Sequence, residues 1–289
     1  MSAVLSAAQW RERACAHEQR ADALTADHRA RAAQGESHPV WDFLFTYYSY
    51  KPSQLRKWHP GAGVALQGAA ERADWRWYSP GPGTDEVMPD AEAYAAEKPE
   101  LAALVERMLR RTASRPAQFG CFGLHEWAMV YRADEHRHPV PLRLGQDGTD
   151  AVVEAHELRC THFDAFRFFT PEAVPRNRDL LSRGGQPAME QPGCLHAGMD
   201  LYRWAMKLGP LIPGELLLDT FELARDIRLL DMEAAPYELS AWGVRPVRIE
   251  TPEGKAEYVR RQRGFAERGA VLRERMLQAW LGSGLPAAV

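Results

Sequence analysis

The chain has 289 residues, with 36 Lys and Arg against 39 Asp and Glu, for a net charge of −3. Apolar residues make up 45%, aromatic residues 10% and charged residues 26%, the mix of a folded globular chain and not of a disordered one. No run of about 18 apolar residues occurs, which argues against a membrane-spanning helix. The near-balanced charge gives no global attraction to nucleic acid, so any DNA-binding surface has to be local.

The opening MSAVLSAAQWRERACAHEQR turns charged too early to hold a secretory apolar region, so a cytoplasmic location is expected. Four scattered cysteines (Cys15, Cys121, Cys160 and Cys194) form no CxxC pair, and free thiols are expected in that compartment. Residues 3–33 are rich in Ala, Arg and Glu without Pro or Gly, and read as one long polar helix, closed near Gly35. Trp41, Leu44, Phe45 and Tyr48 follow at helical spacing. Residues 59–89 carry many Gly and Pro and read as an ordered loop region. A helix pair with a break at Lys98-Pro99 comes next.

Around 126–132, 140–144 and 151–159 the chain is rich in Val, Leu and aromatics, interrupted by HRHP and by GQDGTD. The QDGT stretch reads as a hairpin turn, which predicts two or three strands within about residues 120–160. Residues 171–193 are loop-rich. Two helices between Cys194 and Ala234 and an Arg-rich amphipathic helix near the C-terminus complete the chain. The expected fold is mainly α, a single large helical domain over residues 36–289 preceded by the 1–35 helix, with a small β insertion around 120–160.

Three sets of residues could carry chemistry. The first is four histidines beside acids. His38 precedes Asp42 by four and His196 precedes Asp200 by four, while His125-Glu126 and His162-x-Asp164 add two more pairs. Imidazole and carboxylate together suit several transition-metal ions. The competing reading is that any histidine finds an acid nearby in so charged a chain. Neither H-E-x-x-H nor the di-metal E-x-x-H pattern is present.

The second set is aromatic and acidic. Asp42 and Asp164 interrupt apolar runs, and a buried carboxylate needs a partner or a purpose. With Glu126 and Asp200 they are the candidate catalytic acids, and their approach to one another would form a pocket. Trp41, Tyr47, Phe163 and Phe166 are the candidate stacking groups, although aromatics at such spacing also serve as core. The third set is basic: Arg176, Asn177 and Arg178 lie in a loop suited to gripping phosphates. Arg260, Arg261, Arg263 and Arg268 read as a solvated helix face. No GxGxxG, P-loop, GxSxG or zinc-deaminase signature occurs.

HPVWDFLFTYYSY, KWHPGAGVAL, GCFGLHEWAMVYR, RCTHFDAFRFF, EQPGCLHAGMDLYRWAMKL and FELARDIRLLDMEAAPYEL resemble a family of mainly actinobacterial proteins commonly labelled 3-methyladenine DNA glycosylase. The resemblance runs over nearly the whole chain from about residue 36. It implies hydrolysis of the N-glycosidic bond of an alkylated purine in DNA, with no cofactor; the hydropathy already leaves no membrane partner expected. Such an enzyme needs a flat aromatic slot, an acid to stabilise the developing sugar cation and a basic track. Two readings stand beside it. One is a helical metal-dependent enzyme, such as an oxidoreductase, that uses His38, His125, His162 and His196 to hold a transition-metal ion. The other is a non-catalytic protein that binds a small molecule.

Overall fold

The computed structural model describes residues 3–134 and 140–285. In chain order the elements are β1 (Ala3–Leu5), α1 (Ala7–Ala33), α2 (Phe43–Tyr47), α3 (Pro52–Leu55), β2 (Val64–Gln67), β3 (Tyr78–Pro80) and β4 (Glu86–Pro89). Then come α4 (Ala91–Glu97), α5 (Pro99–Ala113), α6 (Leu124–Ala128), α7 (Gly145–Glu154), α8 (Phe163–Phe166) and α9 (Gln186–Met189). The long helices α10 (Leu195–Leu208), α11 (Gly214–Glu233) and α12 (Pro252–Leu281) close the sequence. The mainly helical expectation is met. The residues group into two compact units.

The first unit comprises residues 1–110, 200–224 and 271–289. Helix α1 starts on a capping box in which Ser6 and Gln9 satisfy each other's backbone and side-chain groups. It buries Trp10, Ala14, His17, Ala21 and Thr25 along one stripe, and the rest of its surface stays polar. Trp10 and Ala14 pack with Trp58, Leu66, Tyr78 and Val87. Among these rings sits the buried Arg72 guanidinium, 4.8 Å from the Trp10 ring and 4.4 Å from that of Trp75, donating to the Trp58 carbonyl. Cation–π attraction offsets the cost of burying that charge.

The sheet lies in this unit, in the order β1-β2-β4-β3, with β1 parallel to β2 and the other pairs antiparallel. Three of its strands fall inside the 59–89 stretch that reads as loop from composition. They are three and four residues long, too short for alternation to stand out among the glycines and prolines.

The second unit comprises residues 111–199 and 225–270. The strands expected in it are absent from the described residues. Residues 126–128 belong to α6, and the QDGT stretch lies inside α7. Only isolated bridges join Leu142 to Tyr237 and Leu158 to Asn177. HRHP lies outside the described residues. QDGT opens a helix because Thr149 turns its hydroxyl back to the Gly145 carbonyl while Val152 and Val153 are buried on the following turn. Tertiary burial overrides turn chemistry there.

Two glycines set how the helices of this unit meet. A β-carbon on Gly198 would lie 2.7 Å from the Ile227 Cδ1, so any larger residue there would have to displace the end of that side chain. Gly123, at φ +75°, starts α6 against Ala234 and Tyr258, next to Phe122 at φ +50°. A bulky side chain in the left-handed region is an outlier, and such strain gathers at functional sites.

Candidate functional site

The second unit gathers histidines and acids at the meeting of α6, α10 and α11. His125 comes from α6, His196 from the first turn of α10 and Asp231 from the last turns of α11. Their ligand-type atoms all lie within 4.8 Å of one another. His125 Nε2 is 2.9 Å from Asp231 Oδ1, and its Nδ1 is 3.4 Å from the Cys121 thiol. The His196 ring stands edge-on to His125 at 4.6 Å and 5.2 Å from His162. His162 Nδ1 pairs with the Glu190 carboxylate at 3.1 Å, and Gln186 donates to the same oxygen.

Charge is tightly held here. Burial alone would lower His125, but Asp231 and then Cys121 outweigh it and hold the imidazole well above its ordinary value. Burial likewise opposes ionisation of Asp231, yet His125, His196 and Arg228 hold that carboxyl well below the usual range. Arg228 donates to Asp231 Oδ2 at 3.0 Å and lies 3.5 Å from Glu126. Burial, and then the Asp231 charge, push Glu126 up. His196 is lowered to about 4, by burial first and His125 second, so it is neutral at pH 7. Its ring is half-buried and has no hydrogen-bond partner among the described residues. Burial raises the thiols of Cys160 and Cys194, which stay protonated.

Two imidazole nitrogens and one carboxylate oxygen this close together are the donor types of two-histidine, one-carboxylate metal sites. Metal binding would displace the proton on His125 Nε2 and leave its Nδ1–H directed at Cys121, a contact that fixes the ring. The order Cys121–His125–Asp231 also matches a thiol nucleophile, a base and an orienting acid. That arrangement gives no task to His196, whereas a metal centre uses it. No family model matches this chain, and no curated protein or solved structure is significantly similar to it.

Of the four histidines singled out from the sequence, His125, His162 and His196 come together. His38 belongs to the first unit, where its Nδ1 accepts from the backbone of Val40 and Trp41 and closes a turn. The candidate acids have separate partners. Glu126 and Asp164 lie in the second unit, and Asp42 and Asp200 in the first. Asp164 accepts from Arg183 at 2.8 Å and lies 3.3 Å from Arg167. Asp200 accepts from the Tyr48 hydroxyl and sits near Arg203. Asp42 accepts from Arg31 at 2.6 Å, pairs with His28 at 2.9 Å and takes the His38 backbone N–H.

Burial works against the Asp42 charge, but Arg31 and His28 prevail and lower the carboxyl. Its folded-state pKa is therefore below its unfolded one, so its contribution is complete at neutral pH and is lost as pH falls through the folded value. Asp42→Asn should lower stability by about 1–3 kcal/mol at pH 7. Urea midpoints of the two proteins should converge on acidification below about pH 4. A constant gap from pH 7 to pH 3 would show that the charge contributes nothing.

The aromatic candidates are mostly packing. Phe166 is buried against Phe169, Tyr47 stacks on Phe43, and Trp41 is half-buried beside His38. Phe163 is half-buried with the Arg183 guanidinium over its ring. The expected phosphate loop is used internally. Arg176 reaches the carbonyls of Val153 and Glu154 at the end of α7. The buried Asn177 amide ties Cys160 to Asp179. Arg178 alone of the three is exposed. On α12, Arg260, Arg261 and Arg268 pair with Glu257, Glu233 and Asp226.

Asp231, Arg228, Glu190 and Cys121 were not singled out by sequence reasoning. A faint signal for the first two exists in RDIRLLD, where charges three apart interrupt the apolar stripe of α11. Cys121 lies four before His125, a spacing that could have found it, whereas Glu190 had no signal because only the fold brings it beside His162.

Proposed function

We propose that this chain is a metal-dependent enzyme whose second unit holds one transition-metal ion on His125, His196 and Asp231. The observation that carries this reading is the mutual approach of three donor atoms from three helices, one of them a neutral histidine whose ring has no hydrogen-bond partner among the described residues. Iron(II), manganese and zinc all suit two imidazoles and a carboxylate. Such an ion would supply Lewis acidity or redox chemistry to a small substrate, and the half-buried face of His196 offers it a side of approach. His125 and Asp231 are fixed in advance by Cys121 and Arg228, which limits the cost of ordering them. Among the described residues no helix is long and apolar enough to cross a membrane.

Base release from alkylated DNA, which the family resemblance implies, is the second reading. The buried Asp164 favours it: the acid lies next to Phe163 and is held by Arg167 and Arg183. One preparation tests both. Elemental analysis of the purified protein should return about one transition-metal ion per chain, and chelation should remove it. Release of 3-methyladenine from alkylated duplex DNA by the chelated, metal-free protein would favour the glycosylase reading. Metal-free protein that neither rebinds iron(II), manganese nor zinc overturns the metal reading.

A further inference from the structure

A second cavity, of about 320 Å³, lies entirely within the first unit and has no part in the histidine cluster. Its walls include Lys57, His59, Trp75, Trp77, Met206 and Leu217. That volume is at the lower end of small-molecule sites, and the mix of apolar walls with a few polar groups is typical of them.

Three features of the cavity define what it can hold. Trp75 and Trp77 are half-buried indoles, and the Trp77 ring rests against Gly209, where a side chain would reach within 3.5 Å of it. Trp77 also has a φ of +60°, an unfavourable conformation for a bulky residue. Its carbonyl accepts from Asp90 and its indole N–H donates to Glu97, so the hairpin β3–β4 and helix α4 hold the strained residue in place. Strain of this kind persists where the surroundings enforce it, and it often marks a working residue.

His59 supplies the second feature. Its Nδ1 is 2.9 Å from the Tyr78 hydroxyl, and Tyr78 in turn interacts with the buried Arg72. The imidazole is neutral, held down to about 3 by burial first and Arg72 second. With Nδ1 engaged by the Tyr78 hydroxyl, Nε2 is the ring nitrogen left to hydrogen-bond a ligand in the cavity.

Charge is the third. Arg76 is paired with Glu97, so these two side chains cancel. Lys57 is exposed, and its ammonium has no ion-pair partner among the described residues. Lys98 lies over the Trp77 ring at 5.0 Å and adds positive potential.

We infer that this cavity binds a nucleoside monophosphate, with its base against the tryptophans, the polar edge of that base on His59 and its phosphate toward Lys57. A flat ring, a hydrogen-bonding group at its edge and a single anionic group are what the three features require together. Base–indole stacking tolerates any base, so one edge contact and one charge set the selectivity.

Titration calorimetry with AMP, adenosine and ribose 5-phosphate tests this, in chelator so that no phosphate can sit on a metal ion. AMP should bind at least about tenfold more tightly than either fragment, since each fragment lacks one of the contacts. Lys57→Glu, an exposed change that should fold normally, should weaken AMP about tenfold or more and leave adenosine unchanged. Trp77→Ala should weaken AMP and adenosine alike, and His196→Ala should change neither. Absence of AMP binding, or AMP binding that Lys57→Glu leaves untouched, overturns the inference.

Discussion

Asp231→Ala should destabilise the second unit by about 3–5 kcal/mol, the usual cost of breaking a buried ion pair from one side. The carboxylate is fully buried and accepts from two cationic groups, His125 at 2.9 Å and Arg228 at 3.0 Å. Alanine would take from the guanidinium its 3.0 Å carboxylate partner, Glu126 being more distant at 3.5 Å, and would remove the charge that keeps His125 protonated. Asp231→Asn retains the volume and one acceptor, so it should lose less. Chemical denaturation measures the loss, and hydrogen exchange of the α11 amides from Arg225 onward places it in the second unit. A variant within about 1 kcal/mol of the parent protein would mean that Arg228 and His125 are held by other groups.

The fold was legible in the sequence wherever one helical period lasted long enough. Helices α1, α5, α10, α11 and α12 each run for 14 residues or more and match the expected segments. The sheet was not legible: β1 and β2 pair across some sixty intervening residues, and no local signal specifies such a partner. QDGT misled because its turn residues also make an acceptable helix start. The site was half legible. His125, His162 and His196 stood out as histidines beside acids, but the acids that matter to two of them are distant in sequence. His125 meets Asp231 across 106 positions and His162 meets Glu190 across 28, whereas the near neighbours Glu126 and Asp164 turn to arginines. Helical spacing brings residues to a common face, but which faces then meet depends on close approaches such as that of Gly198 to Ile227.

His196→Ala should abolish metal binding and leave the fold almost untouched, the reverse of a purely structural histidine. Its ring is neutral and half-buried and makes no hydrogen bond to the described residues, so its loss strands no polar group. The packing cost should therefore stay near about 1 kcal/mol. The metal, by contrast, would lose one of three protein donors. Even partners that only orient a ligand cost 10–100-fold in affinity when removed, so loss of a donor itself should exceed about 100-fold. Cobalt(II) added to metal-free protein reports this directly, because its visible spectrum changes with the number and kind of donors. The parent protein should give a saturable spectrum that His196→Ala lacks, and His38→Ala should match the parent because His38 serves a turn in the first unit. If His196→Ala binds cobalt(II) with the parent's affinity and spectrum, His125 and Asp231 form a structural ion pair and the metal reading fails. If it loses cobalt(II) but keeps its denaturation midpoint, the half-buried ring is present for the metal, since it contributes nothing measurable to the fold.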